Sequence, residues 1–246
     1  MDFHCHLDLY PNAREVFART VERNTFTWLV TTSPRAFTAT SRVLGGHVNV
    51  LITPGLHPEI VHERHGELDN LLEQIEQVSA VGEIGLDGSK RFQHSYEMQR
   101  KVFAATVAQC AAVGGRVLSI HSRQAVKDVL SVLADHPGFG TAVLHWFSGT
   151  AAELKAASDM GCWFSIGPAA FNSASGKALA RKMPRDRVVP ESDGPFAKVN
   201  GMTVMPWSSD ETAQLLAQAW DLGVDEVKLS LESNSRRLIG VINAAG

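Results

Sequence analysis

Short apolar runs alternate with longer segments of helical periodicity along most of the chain. The apolar runs predict eight β-strands, at residues 2–6, 27–32, 48–53, 80–84, 116–121, 141–145, 162–166 and 187–189. The segments between them predict α-helices at residues 12–23, 34–44, 67–77, 96–113, 123–133, 150–160 and 175–182. Two further helices are predicted after the last strand, around residues 208–222 and 224–243.

The alternation of strand and helix predicts the fold class. The run "VLSIH", which ends at residue 121, is short, β-branched at its start and largely apolar, as in a buried parallel strand. Eight such units with right-handed crossovers favour a closed (β/α)8 TIM barrel, and an open doubly wound sheet is the alternative. Because no linker or low-complexity tract interrupts the pattern, residues 1–246 are expected to form one α/β domain.

Composition narrows the classes of function and partner. The net charge of −3 argues against a large basic face for nucleic acid, although bound divalent cations would add positive charge locally. The three cysteines are widely spaced and suit a reducing compartment, so we expect a cytoplasmic protein. We expect no signal peptide and no membrane span, because no apolar run has the required place or length.

Metal-ligand side chains recur where the predicted strands end. In a parallel barrel these ends meet at one mouth, which is where reaction sites lie. His4 and His6 are two residues apart on a strand, so their side chains share one face and can bind the same ion. Later strand ends add Glu83, Asp87, His121, Arg123, His145, Glu191 and Asp193.

Each of these side chains also has a simpler structural interpretation. A lone histidine on a strand is usually a hydrogen-bonded structural residue, and a lone carboxylate near glycine can belong to a turn. Their recurrence at the same end of several strands favours metal binding instead. Imidazole and carboxylate together suit zinc, manganese, iron or nickel better than magnesium. Four histidines and two carboxylates suit two ions that share a bridging carboxylate.

Six sequence blocks carry a family resemblance. They are "FHCHLD", "GLHPE", "VGEIGLD", "IHSR", "LHWFSG" and "ESDGP", and they occur in this order up to residue 195. The blocks resemble those of the TatD-related metal-dependent DNases, a branch of the amidohydrolase-like barrels. The segments "QRKVF" and "ESNSRRLIG" are also similar to that family.

The resemblance implies a TIM barrel with two, sometimes three, divalent ions, for which magnesium, manganese and zinc are the candidates. The implied ligands are His4, His6 and Asp193 for one ion, His121 and His145 for the second, and Glu83 as the bridge. Glu83 and Asp193 are the implied catalytic residues, and Asp193 would take a proton from the attacking water. The implied activity is phosphodiester hydrolysis, often as a 3′→5′ exonuclease on single-stranded or damaged DNA.

Four residues are predicted to contact the substrate. The planar guanidinium of Arg123 can pair with two phosphate oxygens, with a salt bridge to the following helix as the alternative. His57, in "GLHPE", is expected to line the site. Trp146 and its neighbour Phe147 could stack on a base or pack beneath a loop. Lys198 could replace an arginine that the family carries in the loop after "ESDGP".

Two loops depart from the family pattern. Gly88 stands where the family usually has an aromatic residue, and the segment after "ESDGP" is "FAKVNGMTVMPWS". This divergence resembles the QatD-type DNase component of anti-phage systems, which would add the protein partners of a defence complex. Two other hypotheses stay open: a small-molecule hydrolase whose pocket is closed by residues 196–207, and a subunit that acts mainly through a protein complex.

Overall fold

Eight parallel β-strands form a barrel in the computed structural model, which describes residues 1–245. The strands are β1 (Asp2–Cys5), β2 (Thr27–Val30), β3 (Val50–Thr53), β4 (Ala80–Gly85), β5 (Arg116–His121), β6 (Gly140–Leu144), β7 (Trp163–Ile166) and β8 (Val188–Pro190). The helices are α1 (Ala13–Arg23), α2 (Pro34–Leu44), α3 (Val61–Arg64), α4 (Leu68–Ile75), α5 (Tyr96–Ala112), α6 (Val126–Asp135), α7 (Ala151–Asp159), α8 (Ala174–Ala180), α9 (Ser209–Trp220) and α10 (Val224–Ala244). None of these helices is long and apolar enough to cross a lipid bilayer.

Two seams close the barrel. The regular ladders join β1, β2 and β3 in one group and β4 through β8 in another. At the first seam, Thr31 donates its N–H to the carbonyl oxygen of Gly82 at 3.1 Å. At the second, Asp193 donates its N–H to the carbonyl oxygen of His4 at 2.9 Å. The predicted (β/α)8 barrel is therefore confirmed, and the open doubly wound alternative is wrong.

Two layers of side chains fill the barrel interior. The lower layer, near the strand N-termini, is an apolar cluster of Phe3, Trp28, Val30, Ala80, Val117, Val143, Trp163 and Val189. Leu238 and Ile242 of α10 pack into it, so α10 covers this end of the barrel. The upper layer is polar and contains His4, His6, Glu83, Ser119, His121, His145, Ser165, Glu191 and Asp193. Alternation supplies both layers along β5, β6 and β7, whereas the ladder register shifts between Asp2 and Cys5 in β1 and between Val81 and Ile84 in β4.

Outward-facing strand residues pack against the surrounding helices. Leu118 and Leu144 belong to the largest apolar cluster, which includes residues of α4 through α9. Cys5 packs outward, as the alternation with His4 and His6 predicts. Phe147 is buried, and its ring meets that of Phe164 edge-on at 5.5 Å. Phe147 therefore belongs to the core, and of the two open interpretations the packing one is correct.

Local turns shift some element boundaries from their predicted positions. The helix expected from residue 123 begins at Val126, because Gln124 adopts a left-handed backbone (φ 52°) in the preceding turn. A hairpin of β9 (Lys198–Val199) and β10 (Met202–Thr203) was not predicted. Asn200 and Gly201 connect its strands with positive φ values of 50° and 79°. This is the Asn-Gly signal of a two-residue hairpin turn.

Candidate metal centre

A cavity of about 470 Å³ opens at the end of the barrel where the strands finish. Its lining residues are His6, His57, Glu59, Glu83, His121, Ser122, Arg123, His145, Trp146, Ser148, Asp193 and Phe196. The upper layer of the barrel interior forms its floor. Side chains from distant parts of the sequence therefore converge at one mouth, as expected of strand ends in a parallel barrel.

One oxygen of the Glu83 carboxylate faces the two histidines of the first strand. Oε2 lies 3.0 Å from Nε2 of His6 and 3.3 Å from Nε2 of His4. Asp193 Oδ1 lies 3.7 Å from the same nitrogen of His4 and 3.8 Å from that of His6. His4, His6 and Glu83 form one compact set of donors that could hold a metal ion, and Asp193 forms a separate donor group with His4 and His145.

The other oxygen of Glu83 faces three histidines from other parts of the barrel. Oε1 lies 2.8 Å from Nε2 of His145, 2.9 Å from Nδ1 of His121 and 3.1 Å from Nε2 of His57. His57, Glu83 and His121 form a second set of donors. His57 thus lies within the cluster, whereas the sequence suggested only a substrate contact.

Unpaired nitrogens in the cluster test whether cations fit. Within residues 1–245, three buried imidazole nitrogens lack a hydrogen-bond partner, namely His4 Nε2, His6 Nδ1 and His145 Nδ1. When Nδ1–H of His4 donates to Ser119 Oγ at 2.7 Å, Nε2 presents its lone pair to the carboxylates. An unsatisfied buried polar atom costs about 1–3 kcal/mol. The lone pair of His4 Nε2, beside the carboxylates of Glu83 and Asp193, therefore fits a divalent cation.

Protonation states in the cluster also suit cation binding. Burial acts to raise the pKa of Glu83, but the imidazoles of His57, His145 and His4 outweigh it and hold this pKa well below its usual range. Burial lowers the pKa of His145, and lowers that of His4 well below its normal value. The ionised Glu83 carboxylate beside the neutral imidazoles of His4 and His145 has the protonation pattern of a metal-binding site.

Asp193 has the opposite electrostatic character from Glu83. Burial raises its pKa well above the usual range, and the negative charges of Glu83 and Glu191 raise it further. Its left-handed backbone (φ 47°) and its N–H bond to His4 hold the side chain at the cavity wall. Cations bound beside Asp193 would offset these negative charges and favour its ionised form, which could then accept a proton from a nearby water molecule.

Two further carboxylates reach His121 from outside the predicted ligand set. Asp87 Oδ2 lies 2.9 Å from His121 Nε2, and Glu59 completes a third set of donors with them. Burial lowers the pKa of His121, but hydrogen bonds with Asp87 and Glu83 outweigh it and raise the pKa to about 9. The sequence offered Asp87 as a strand-end carboxylate without a role. Glu59 was missed, although it ends the "GLHPE" block.

Glu191 is a buried carboxylate behind the cluster. It accepts hydrogen bonds from Ser165 Oγ at 2.5 Å and from the backbone N–H of Trp146 at 2.9 Å. Its Oε2 lies 3.8 Å from Nδ1 of His145. Burial raises the pKa of Glu191 to about 8. Glu191 thereby supports both His145 and the left-handed backbone of Trp146 (φ 35°).

The predicted substrate contacts are divided between the cavity and its surroundings. Arg123 is exposed and lines the cavity, and among residues 1–245 no carboxylate lies within 4.0 Å of its guanidinium. The alternative of a salt bridge to the next helix is therefore not formed. Trp146 also lines the cavity and is half-buried. Lys198 is exposed on β9 and does not line the cavity.

Comparison with known proteins agrees with this geometry. Residues 1–240 match the family described as "TatD related DNase". A Mycobacterium tuberculosis protein named "Uncharacterized metal-dependent hydrolase TatD" is 31% identical over 199 residues, which cover 76% of this chain and 75% of that protein. A Pantoea ananatis protein named "3′-5′ ssDNA/RNA exonuclease TatD" is 28% identical over 204 residues, which cover 77% and 78% of the two chains.

The fold agrees as well. The crystal structure of YJJV, a TatD homolog from Escherichia coli, has a TM-score of 0.85 and 22% identity over 95% of both chains. The family match spans nearly the whole chain and includes all six blocks that carry the sequence resemblance. The chain therefore belongs to the TatD-related DNases, a family of metal-dependent hydrolases.

Proposed function

We propose that this chain hydrolyses phosphodiester bonds of DNA from a 3′ end that is single-stranded or frayed, with residues 1–246 acting as one hydrolase domain. The observation that carries the proposal is the Glu83 carboxylate, whose two oxygens face two separate sets of histidines. The exonuclease named among the relatives gives the substrate class and the direction.

The geometry supports two divalent ions, with magnesium, manganese and zinc as the candidates. The proposed ligands are His4, His6 and Asp193 for one ion, His121 and His145 for the other, and Glu83 for both. His57 is placed to join the second group. Such ions supply Lewis acidity and lower the pKa of bound water towards 7.

The protein's own side chains carry the remaining steps of the proposed reaction. Asp193 accepts the proton of the attacking water, because its carboxylate lies at the cavity wall beside His4 and His6. Arg123 projects from the cavity wall without a carboxylate partner among the described residues, so its guanidinium is free to pair with phosphate oxygens. Lys198 lies outside the cavity lining, so its proposed contact is a phosphate further along the DNA strand.

The proposal is tested with a labelled single-stranded oligonucleotide and manganese. Wild-type protein is expected to shorten it from the 3′ end, and Asp193→Asn to reduce the rate by about 10²–10⁴-fold, as for loss of a general base. Asp135→Asn, at an exposed position at the end of α6, serves as the matched control. Intact oligonucleotide with wild-type protein, or equal cleavage by Asp193→Asn, would refute the proposal.

A small-molecule hydrolase of the same barrel superfamily is the alternative with a specific structural discriminator. Of residues 196–207, only Phe196 lines the described cavity. Ala197 and Val204 are buried against the barrel, where the Tyr10 hydroxyl donates to the carbonyl oxygen of Val204 at 2.7 Å. This segment therefore does not cover the cavity, which favours a strand end over a small enclosed substrate.

The predicted cytoplasmic location, the role in anti-phage defence and the protein partners of a defence complex stay predictions. The hypothesis of a subunit that acts mainly through a complex has a direct test, because such a subunit would be inert alone. Metal-loaded protein that cleaves oligonucleotide without any partner would argue against that hypothesis.

A further inference from the structure

We infer that Phe196 forms a stacking surface for one unpaired nucleobase beside the metal centre, with Trp146 as its support. The inference rests on the proposed function, because it names the part of a nucleic-acid substrate that the cavity recognises. It concerns a residue for which no individual role is predicted from the sequence.

Phe196 is the exposed aromatic residue of the cavity wall. Its side chain is 59% exposed, although the ring lies edge-on to His6 with centroids 5.1 Å apart. A large apolar side chain that stays in water lacks the stabilisation that burial would provide. A ring held exposed above a buried polar cluster therefore indicates a ligand surface. Phe196 thus places an apolar plane directly beside the proposed ligands.

The backbone fixes Phe196 relative to the proposed catalytic carboxylate. Its N–H donates to the carbonyl oxygen of Asp193 at 3.0 Å, and the N–H of Ala197 donates to the same oxygen at 2.9 Å. The N–H of Val204 in turn donates to the carbonyl oxygen of Ala197 at 2.9 Å. The ring is therefore held on a short, bonded turn and needs little ordering when a base binds.

Trp146 and the turn that carries Phe196 form one packed unit. Ala197, Val204 and Ala169 make a small buried cluster, and the half-buried ring of Trp146 packs against it. The hydrogen bond from the N–H of Trp146 to Glu191 fixes the other side of this unit. The ring of Trp146 therefore packs against this cluster, and the exposed face of the Phe196 ring is available for stacking on a base.

The other groups of the cavity select a nucleotide over a purely apolar ligand. Arg123, Ser122 and Ser148 line the same cavity and supply donors for phosphate oxygens. A base has an aromatic face and is joined to a phosphate, which matches an aromatic wall beside a cationic one. Because a base must leave its stack to reach Phe196, the inference also explains a preference for single-stranded or frayed ends.

The test distinguishes the contribution of the base to binding from that of the sugar and phosphate. Two single-stranded oligonucleotides are compared, one with a normal 3′-terminal nucleotide and one with a tetrahydrofuran abasic residue there. Stacking on an aromatic side chain corresponds to a factor of about 5 to 100 in affinity per base. Phe196→Ala is expected to raise KM by such a factor for the normal end and to change KM little for the abasic end.

Two variants serve as controls for this test. Phe196→Tyr keeps an aromatic plane and is expected to retain the wild-type KM. Met202→Ala removes another exposed apolar side chain of the same segment, 71% exposed on β10 and outside the cavity lining, and should behave as wild type. An equal effect of Phe196→Ala on both oligonucleotides, or no effect on either, overturns the inference.

A binding measurement keeps the inference testable without turnover. Calorimetry compares deoxyadenosine monophosphate with deoxyribose 5-phosphate on manganese-loaded protein. Tighter binding of the nucleotide that disappears in Phe196→Ala supports the stacking surface even if no oligonucleotide is cleaved, in which case only the proposed function fails. Equal binding of both ligands by wild-type protein overturns the inference even if cleavage occurs.

Discussion

The two layers of the barrel interior come from the same strands but have opposite chemistry. The lower layer is an apolar cluster sealed by α10, and the upper layer surrounds Glu83 with imidazoles. On three neighbouring strands the change occurs between adjacent inward positions: Val117 to Ser119, Val143 to His145, and Trp163 to Ser165. Stability and metal chemistry therefore have separate locations along these three strands.

The apolar layer also strengthens the interactions above it. A dry floor lowers the effective dielectric, so charges and hydrogen bonds in the upper layer act more strongly than at a surface. Glu83 stays ionised there because the imidazoles outweigh its burial. The two layers should therefore respond differently to substitution. Substitutions in the lower layer should change stability alone, and substitutions in the upper layer should change metal binding.

The largest expected effect comes from Glu83→Gln. An ion that binds only the folded protein stabilises it by about 4 kcal/mol when its free concentration is 1,000 times Kd. Because Glu83 belongs to the donor set of His4 and His6 and to that of His57 and His121, the variant is expected to lose most of this manganese-dependent increment. Urea unfolding with and without manganese measures it. Glu73→Gln, at an exposed position of α4, is the control, and an increment of wild-type size in Glu83→Gln would contradict the central role of this residue.

Leu238→Ala tests how much the packing of the lower layer contributes to stability. Leu238 is fully buried where α10 covers the barrel, so the cavity left by the substitution is expected to cost about 2–5 kcal/mol of unfolding free energy. The manganese-dependent increment should stay as in the wild type. Leu229→Ala, on the same helix but 67% exposed, is the matched control. If Leu238→Ala abolished manganese binding while the fold stayed stable, the separation of the layers would be wrong.

Glu191→Gln is expected to have a smaller effect on the upper layer. Glutamine keeps the shape of the side chain but weakens its support of His145 and Trp146. Loss of such support around metal-binding histidines reduces metal affinity about 10–100-fold. Calorimetric titration with manganese measures the change. Unaltered manganese affinity in this variant would show that His145 holds its position without Glu191.

The barrel and the gathering of histidines and carboxylates at its mouth could be predicted from the sequence because strand alternation and strand ends follow local rules, whereas the assignment of ligands to two ions came from the family resemblance. Alternation along "VLSIH" and the spacing of His4 and His6 determine which side chains point inward. The position of His57, the approach of Asp87 to His121 and the exposure of Phe196 depend on loop conformations instead. Those conformations follow from turns such as the left-handed ones at Gln124 and Asn200, which apolar periodicity does not encode.

The seam between β1 and the segment after β8 has a consequence for the synthesis of the protein. In the order of synthesis His4 comes long before Asp193, whose N–H bonds to the carbonyl oxygen of His4. A nascent chain that stops before residue 188 carries all 10 histidines but lacks β8 and the proposed proton acceptor. Assembly of the centre therefore waits for nearly the complete barrel, and a shorter ribosome-bound fragment lacks the full set of proposed ligands.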